Sequence, residues 1–244
     1  MELQFLGSGD AFGSGGRYNT CFYVSHSQGA FLLDCGASSL VAFRKFAADP
    51  NKVRAILITH LHGDHFGGLP FFLLDAQLVS GRTAPLTIAG PPGLRERLAT
   101  AMEVLFPGSK EMHRQFAISI RELEPEARHN VEGIEVTPYL VKHPSGAPPF
   151  AYRIEVDGKI LCYSGDTEWT HTLSQAAKGA DLFISECYSF DRRVKFHLDY
   201  ATLAQHLPAL GAKRVILTHM SQDMLAHVEE IECETARDGM VVSI

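Results

Sequence analysis

Apolar and polar residues alternate over short stretches at the start of the chain and again past its middle. Leu3-Gln4-Phe5-Leu6 reads as a short strand, and residues 21–25 and 30–34 as two strands joined by a polar turn. Helical spacing over residues 38–48 comes next, with Ser38 or Ser39 as the cap. Ala55-Ile56-Leu57-Ile58 and Leu86-Thr87-Ile88-Ala89 are continuous apolar runs, the pattern of strands buried on both faces. Helices are predicted over 69–79 and 94–105. Residues 116–123, 134–142 and 151–156 alternate like strands, and Asp157-Gly158 is a tight-turn pair leading into a strand at 159–163. The remainder reads as helix 171–178, strand 182–185, helix 200–210, strand 215–217, helix 224–231 and strand 241–244. Strands come first and then mix with helices, no linker divides the chain, and no repeat is present. The pattern predicts an α/β fold, one domain over residues 1–244 with two mixed sheets and helices outside them.

Composition narrows the class. The 244 residues carry 22 basic and 28 acidic side chains, net −6, which argues against a surface built to grip nucleic acid as a whole. The five cysteines, at 21, 35, 162, 187 and 233, are odd in number and form no C-x-x-C pair, so neither a disulfide framework nor a thiolate zinc site is expected. The opening residues have no basic-then-apolar leader, and no apolar run approaches the roughly 20 residues of a membrane helix. A soluble cytoplasmic protein without membrane partners is the expectation. The excess is in histidine, 12 residues in all.

Three of those histidines stand together. The buried run ending at Thr59 passes directly into His60-Leu61-His62-Gly63-Asp64-His65-Phe66-Gly67-Gly68, spaced H-x-H-x-D-H. A strand gives such a loop a rigid base, and its glycines let the backbone turn tightly enough for several side chains to converge. Neutral imidazoles and a carboxylate are ligands suited to zinc or another first-row ion. His26, His113, His129, His171, His206 and His227 have no such partners and read as solvent-facing or locally satisfied, His26 in a hairpin turn and the others on or between helices.

The segment resembles the metal-binding motif of the metallo-β-lactamase superfamily, and later residues continue the resemblance in order. His143, Asp166 and His219 each come after a predicted strand, in Val141-Lys142-His143-Pro144, Ser164-Gly165-Asp166-Thr167 and Leu217-Thr218-His219-Met220. Asp34, in Leu33-Asp34-Cys35-Gly36, matches an early Asp-x-Gly element and reads as support for a ligand. The resemblance implies a four-layer αββα sandwich and two divalent ions, zinc or manganese. His60, His62 and His143 would hold the first ion, Asp64, His65 and His219 the second, and Asp166 would bridge them. Two ions about 3.5–4 Å apart can share one hydroxide as a nucleophile at neutral pH.

Flanking residues resemble the ribonuclease Z-like phosphodiesterase branch. Leu6-Gly7-Ser8-Gly9 with Arg17-Tyr18-Asn19-Thr20 is similar to its glycine-rich opening, with Tyr18 inserted between Arg17 and Asn19. Ser185-Glu186-Cys187 stands where that branch has His-Glu-Ala-Thr, and Phe196-His197-Leu198-Asp199 where it has a His-Ser/Met-Thr element. Breaking a P–O bond leaves an alkoxide that needs a proton. The implied donor is His197, oriented and charged by Glu186, with Asp64 the third catalytic residue of the motif. Each has a second reading, Glu186 as a surface acid at a strand end and His197 as a helix-flanking histidine, but the pair together favours the functional one. Arg192, Arg193 and Lys195 are candidates for holding phosphate oxygens near the metals.

One element of the branch is missing. Residues 94–142 have no Gly/Pro- and basic-rich arm of the kind that grips tRNA, and Pro107-Gly108-Ser109-Lys110 is too short to serve. The expected function is therefore hydrolysis of a small or cyclic phosphodiester, cyclic nucleotides and cyclic ribose phosphates included. Alternatives are an acyl hydrolase (lactonase, thioesterase or β-lactamase-like) and a tRNA 3′ processing endonuclease. A diiron oxidoreductase would have Glu at the place of His62. The sequence leaves the oligomeric state open, a homodimer among the options.

Overall fold

Leu3 and Phe5 of the first strand enter one apolar cluster and Leu6 another, so the alternation read from the sequence sorts side chains between two layers. The computed structural model describes residues 1–109 and 112–244, and Lys110 of the short Pro107–Lys110 segment lies outside them. Strands β1 (Glu2–Gly7), β2 (Cys21–His26), β3 (Gly29–Leu33), β4 (Val53–Leu57), β5 (Leu86–Gly90) and β6 (Ile118–Glu122) lie side by side in that order. A second sheet carries β7 (His129–Val131), β8 (Ile134–Leu140), β9 (Phe150–Val156), β10 (Lys159–Tyr163), β11 (Leu182–Glu186), β12 (Val215–Thr218) and β13 (Glu234–Thr235). The chain then returns as β14 (Val241–Ser243) to the free edge of β1.

Each sheet is half antiparallel meander and half parallel. β3 to β6 run parallel, as do β10 to β13. Phe5, Phe22, Phe31 and Leu57 from the first sheet pack against Phe150, Tyr152, Tyr163 and Ile184 from the second. Phe22 meets Tyr163 edge to face, with ring centres 5.0 Å apart. Helices α1 (Ser39–Lys45), α3 (Leu69–Leu78) and α4 (Leu94–Leu105) cover the outer face of the first sheet. Helices α5 (His171–Ala177) and α6 (Tyr200–Leu210) cover the second. The result is an αββα sandwich of two mixed sheets, as expected. None of the described helices is long and apolar enough to cross a membrane.

Four local readings change. The helix predicted to reach residue 48 ends at Lys45, because Ala47 takes a positive φ of 53° that a right-handed helix cannot continue. The helix predicted over 224–231 is split. It starts earlier, as α7 (Gln222–Leu225), since the Ser221 side chain caps it, and a separate 3₁₀ turn spans Val228–Glu230. His129 lies in a strand, β7, opposite Val136, and His26 is the last residue of β2 rather than part of the turn.

Candidate metal centre

The parallel strands direct their C-terminal ends to one side of the sandwich, the side where open α/β sheets place their chemistry. His60 comes after β4, Asp166 after β10 and His219 after β12, while Glu186 ends β11. β8 is antiparallel to β9, as β10 is, so it runs with β10 and delivers His143 to the same side. After β4 the backbone remains pinned, with Ile58 N–H donating to Ala89 O and Thr59 N–H to Asp34 Oδ1 at 2.7 Å. It then turns into the one-turn helix α2 (Gly63–Phe66), which carries Asp64 and His65. Close packing here needs glycine at two positions. A Cβ on Gly36 would sit 2.1 Å from Asp64 O, and one on Gly68 2.2 Å from Gly36 O. Gly63, by contrast, has open space around it, so no steric demand selects it.

The seven residues form two adjoining groups. His60, His62 and His143 make one, and Asp64, His65, Asp166 and His219 the other, with the ligand atoms of each group within 4.8 Å of one another. Asp166 lies between them. Its oxygens are 3.3 Å from His65 Nε2 and His219 Nε2, and 3.9 Å from His60 Nε2 and His143 Nε2. Asp64 Oδ2 is 3.2 Å from both His65 Nε2 and His219 Nε2. Five imidazoles and two carboxylates thus converge on a space lined by ligand atoms. Buried His60 Nε2 and Asp166 Oδ1 have no hydrogen-bond partner, a costly state for a polar atom that a coordinated cation relieves. The nitrogen and oxygen donor set fits a divalent first-row ion.

Two of these rings are fixed through the nitrogen on their far side. His65 Nδ1 donates to Asp34 Oδ2 at 2.7 Å, and Asp34, at a positive φ of 58°, also accepts from the Thr59 hydroxyl at 2.8 Å. His143 Nδ1 donates to Phe196 O at 3.0 Å. Each bond fixes a tautomer and leaves Nε2 facing the centre. His219, itself at a positive φ of 58°, is held by its backbone, its N–H donating to Ser8 O at 3.1 Å.

Electrostatics derive from burial and proximity. Burial, reinforced by His65, holds His60 well below the ordinary imidazole value, and burial likewise lowers His62 and His143. Neutral imidazole is the form that binds a cation. Burial opposes charge on His65 and His219 as well, but there the carboxylates win. Asp166 and Asp64 raise both, with Asp34 also acting on His65, and His219 reaches about 9. Asp64 and Asp166 are held well below the usual carboxylate range against burial, chiefly by His65 and His219.

Glu186 and His197, 11 residues apart, are brought together beside this cluster. His197 Nδ1 lies 3.0 Å from Glu186 Oε2, and buried Glu186 also accepts from Thr167 N–H. Burial works against charge on His197, but Glu186 raises its proton affinity above the ordinary value. The His197 ring stacks near His219 and tilts against Tyr188, with ring centres 5.8 and 4.8 Å away. A cleft of about 380 Å³ opens over the centre, lined by Asp64, Asp166, His197, Phe12, Tyr188 and Lys195 among others. Of the basic trio, Lys195 lines this cleft, whereas Arg192 and Arg193 do not.

Two participants escaped the sequence reading. Phe12, 84% exposed, stands in the cleft from the glycine-rich loop, where Asp10 accepts from Phe12 and Ser14 backbone N–H groups. Asp238 accepts from Ser8 N–H, the Ser8 hydroxyl and Tyr18 N–H at 2.8–2.9 Å, and so fixes the carbonyl that holds His219. An exposed aromatic near a glycine-rich loop could have been flagged from sequence. Nothing local marks Asp238, 230 residues away from Ser8. Of the other histidines, His206 stacks on Trp169 with ring centres 3.8 Å apart, His227 Nδ1 donates to Asp223 O, and His129 Nε2 meets Glu124 O.

A family model described as "Anti-Pycsar protein Apyc1" matches residues 1–240. The chain belongs to the Apyc1 family. This Apyc1-family chain is also similar to ribonuclease Z of an Exiguobacterium species, 28% identical over 98% of this chain and 94% of that protein. Ribonuclease Z of Bacillus velezensis is 26% identical over 91% and 88%. Human tRNase Z, short form, superposes with a TM-score of 0.83 at 28% identity, covering 100% of this chain and 99% of the other. A diphosphatase of the PhnP family shares the fold, with a TM-score of 0.79 at 18% identity over 100% and 97%. The Apyc1-family chain is a metallo-β-lactamase-fold, ribonuclease Z-like hydrolase, a metal-dependent phosphodiesterase, and its histidine–aspartate cluster is a divalent-metal site.

Proposed function

We propose that the substrate is a small or cyclic phosphodiester, cleaved at a centre of two zinc or manganese ions. His60, His62 and His143 would hold one ion and Asp64, His65 and His219 the other, with Asp166 available to both. The observation that carries this reading is the pairing of the cluster with a Glu186–His197 hydrogen bond at the wall of the same cleft. When bound, the ions supply an activated water and a positive field for phosphoryl oxygens. The protein supplies the rest. Asp64 and Asp166 provide the charge that keeps dications in a buried site. Glu186 holds Nδ1 of His197 and stabilises its protonated form, and Nε2 is the nitrogen left to hand a proton to the departing alkoxide. Lys195 reaches the cleft from its rim and suits a phosphate oxygen.

The ribonuclease Z relatives also make tRNA a substrate to weigh. Against it stand the net charge of −6 and the short connection from α4 at Leu105 to β6 at Ile118, where no arm is evident among the described residues.

The test is hydrolysis of bis(p-nitrophenyl) phosphate by purified protein. Activity is expected to vanish with a chelator and to return with Zn²⁺ or Mn²⁺. No turnover of any diester by fully metal-loaded protein would remove the reading. Asp238 offers a second check. Asp238→Ala leaves Ser8 and Tyr18 without their acceptor and lets the backbone around His219 relax. Metal affinity, read by competition with a chelating dye, is expected to fall about 10–100-fold with the far-ultraviolet spectrum unchanged. Unaltered affinity would mean that Asp238 does not position His219.

A further inference from the structure

Behind His197 lies a second cleft of about 360 Å³. It shares Val194, Lys195 and His197 with the cleft over the metal centre, so the two are continuous around one histidine. Arg193 lines only the second cleft. One wall is flat, formed where Trp169 stacks on His206 with their planes 1° apart. The charges are unequally committed. Glu168 sits 3.7 Å from Lys142, and the Asp199 carboxylate is taken up by the backbone N–H and hydroxyl of Thr202 at 2.7 and 2.8 Å. Arg193 has no carboxylate partner among the described residues, and Lys195 lies over the Phe196 ring, 4.7 Å from its centre. Arg193 and Lys195 are the cations of this lining, and an arginine fork matches phosphate oxygens.

We propose that this cleft seats a second phosphate, carried by the leaving alcohol of a linear diester. The inference rests on the assignment of His197 as proton donor, which places the leaving oxygen beside that ring. Water adds to phosphorus and gives up a proton to solvent, the P–O bond to the leaving alcohol breaks, and the alcohol takes the proton from His197, which regains one from solvent. The group attached to that oxygen then extends past His197 towards Arg193. The preferred linear substrate is one whose leaving nucleoside bears a terminal phosphate.

The experiment compares the thymidine dinucleotide without a terminal phosphate with its two forms phosphorylated at either end, using metal-loaded protein. One phosphorylated form is expected to show a KM at least tenfold lower than the plain dinucleotide. Arg193→Ala is expected to erase that advantage while leaving kcat/KM for bis(p-nitrophenyl) phosphate, which has no second phosphate, unchanged. Equal KM values for all three in the wild type, or an Arg193→Ala defect of the same size on every substrate, would overturn the proposal. If no diester is turned over, the phosphodiesterase reading fails separately. The cleft is then judged by calorimetric binding of inorganic phosphate to chelator-treated wild type and Arg193→Ala, and equal binding by the two proteins overturns it.

Discussion

Asp166→Asn is expected to cut turnover of a diester by about 10³-fold and to lower the bound metal to half the wild-type content or less. The substitution keeps the shape of the side chain and removes one charge. That charge is the one both ligand groups share, since Asp166 oxygens approach His65, His219, His60 and His143 within 3.3–3.9 Å. Its loss leaves Asp64 as the sole carboxylate of the two ligand groups, too little to balance two dications in a site where Asp166 is only 2% exposed. A bound cation supplies several kcal/mol of transition-state stabilisation, and each 1.36 kcal/mol is tenfold in rate. Metal analysis alongside kinetics and an unchanged far-ultraviolet spectrum separates this from a folding defect. Full metal content with near-normal turnover would show that Asp166 is not the shared ligand.

The cluster was readable because its residues follow strands whose pattern the sequence shows. Ile56-Leu57-Ile58 before His60 and Val215-Ile216-Leu217 before His219 are patterns that sheet burial imposes, and they put the histidines beyond them at the strand ends. Asp34 was readable for a similar reason, and its bonds to His65 and Thr59 give it the supporting role expected of it. Contacts made through the backbone at long range were not readable. Ser8 O accepts from His219 N–H, and Asp238 in turn holds Ser8, so the two ends of the chain meet at the site through groups every residue possesses. The basic trio shows the same limit. Charge pattern located a cationic loop, but not which of its side chains meets which cleft. Helix ends failed where one residue departs from helical geometry, as at Ala47 and His227, a choice that hydrophobic spacing does not encode.

His197→Ala separates the chemistry of phosphodiesters from that of acyl compounds, and its effect should depend on the leaving group. An alkyl alkoxide is a poor leaving group until protonated, so turnover of an alkyl diester is expected to fall by about 10²–10⁴-fold, the usual contribution of a placed proton donor. p-Nitrophenolate departs without a proton, and the loss on bis(p-nitrophenyl) phosphate should stay under about tenfold. Glu186→Gln keeps a hydrogen-bonding group near His197 Nδ1 but removes the charge that raises its proton affinity. It should show the same dependence on the leaving group at smaller amplitude. A purely structural role would lower both substrates together and shift melting. An acyl hydrolase would behave differently again, because a departing acyl partner can take its proton from water at the metals. Unchanged turnover of the best substrate in His197→Ala would therefore reassign the centre to C–O, C–S or C–N bonds. The buried hydrogen bond between Glu186 and His197 argues for the opposite outcome, since a carboxylate that is fully buried is tolerated where it holds a charge that the reaction uses.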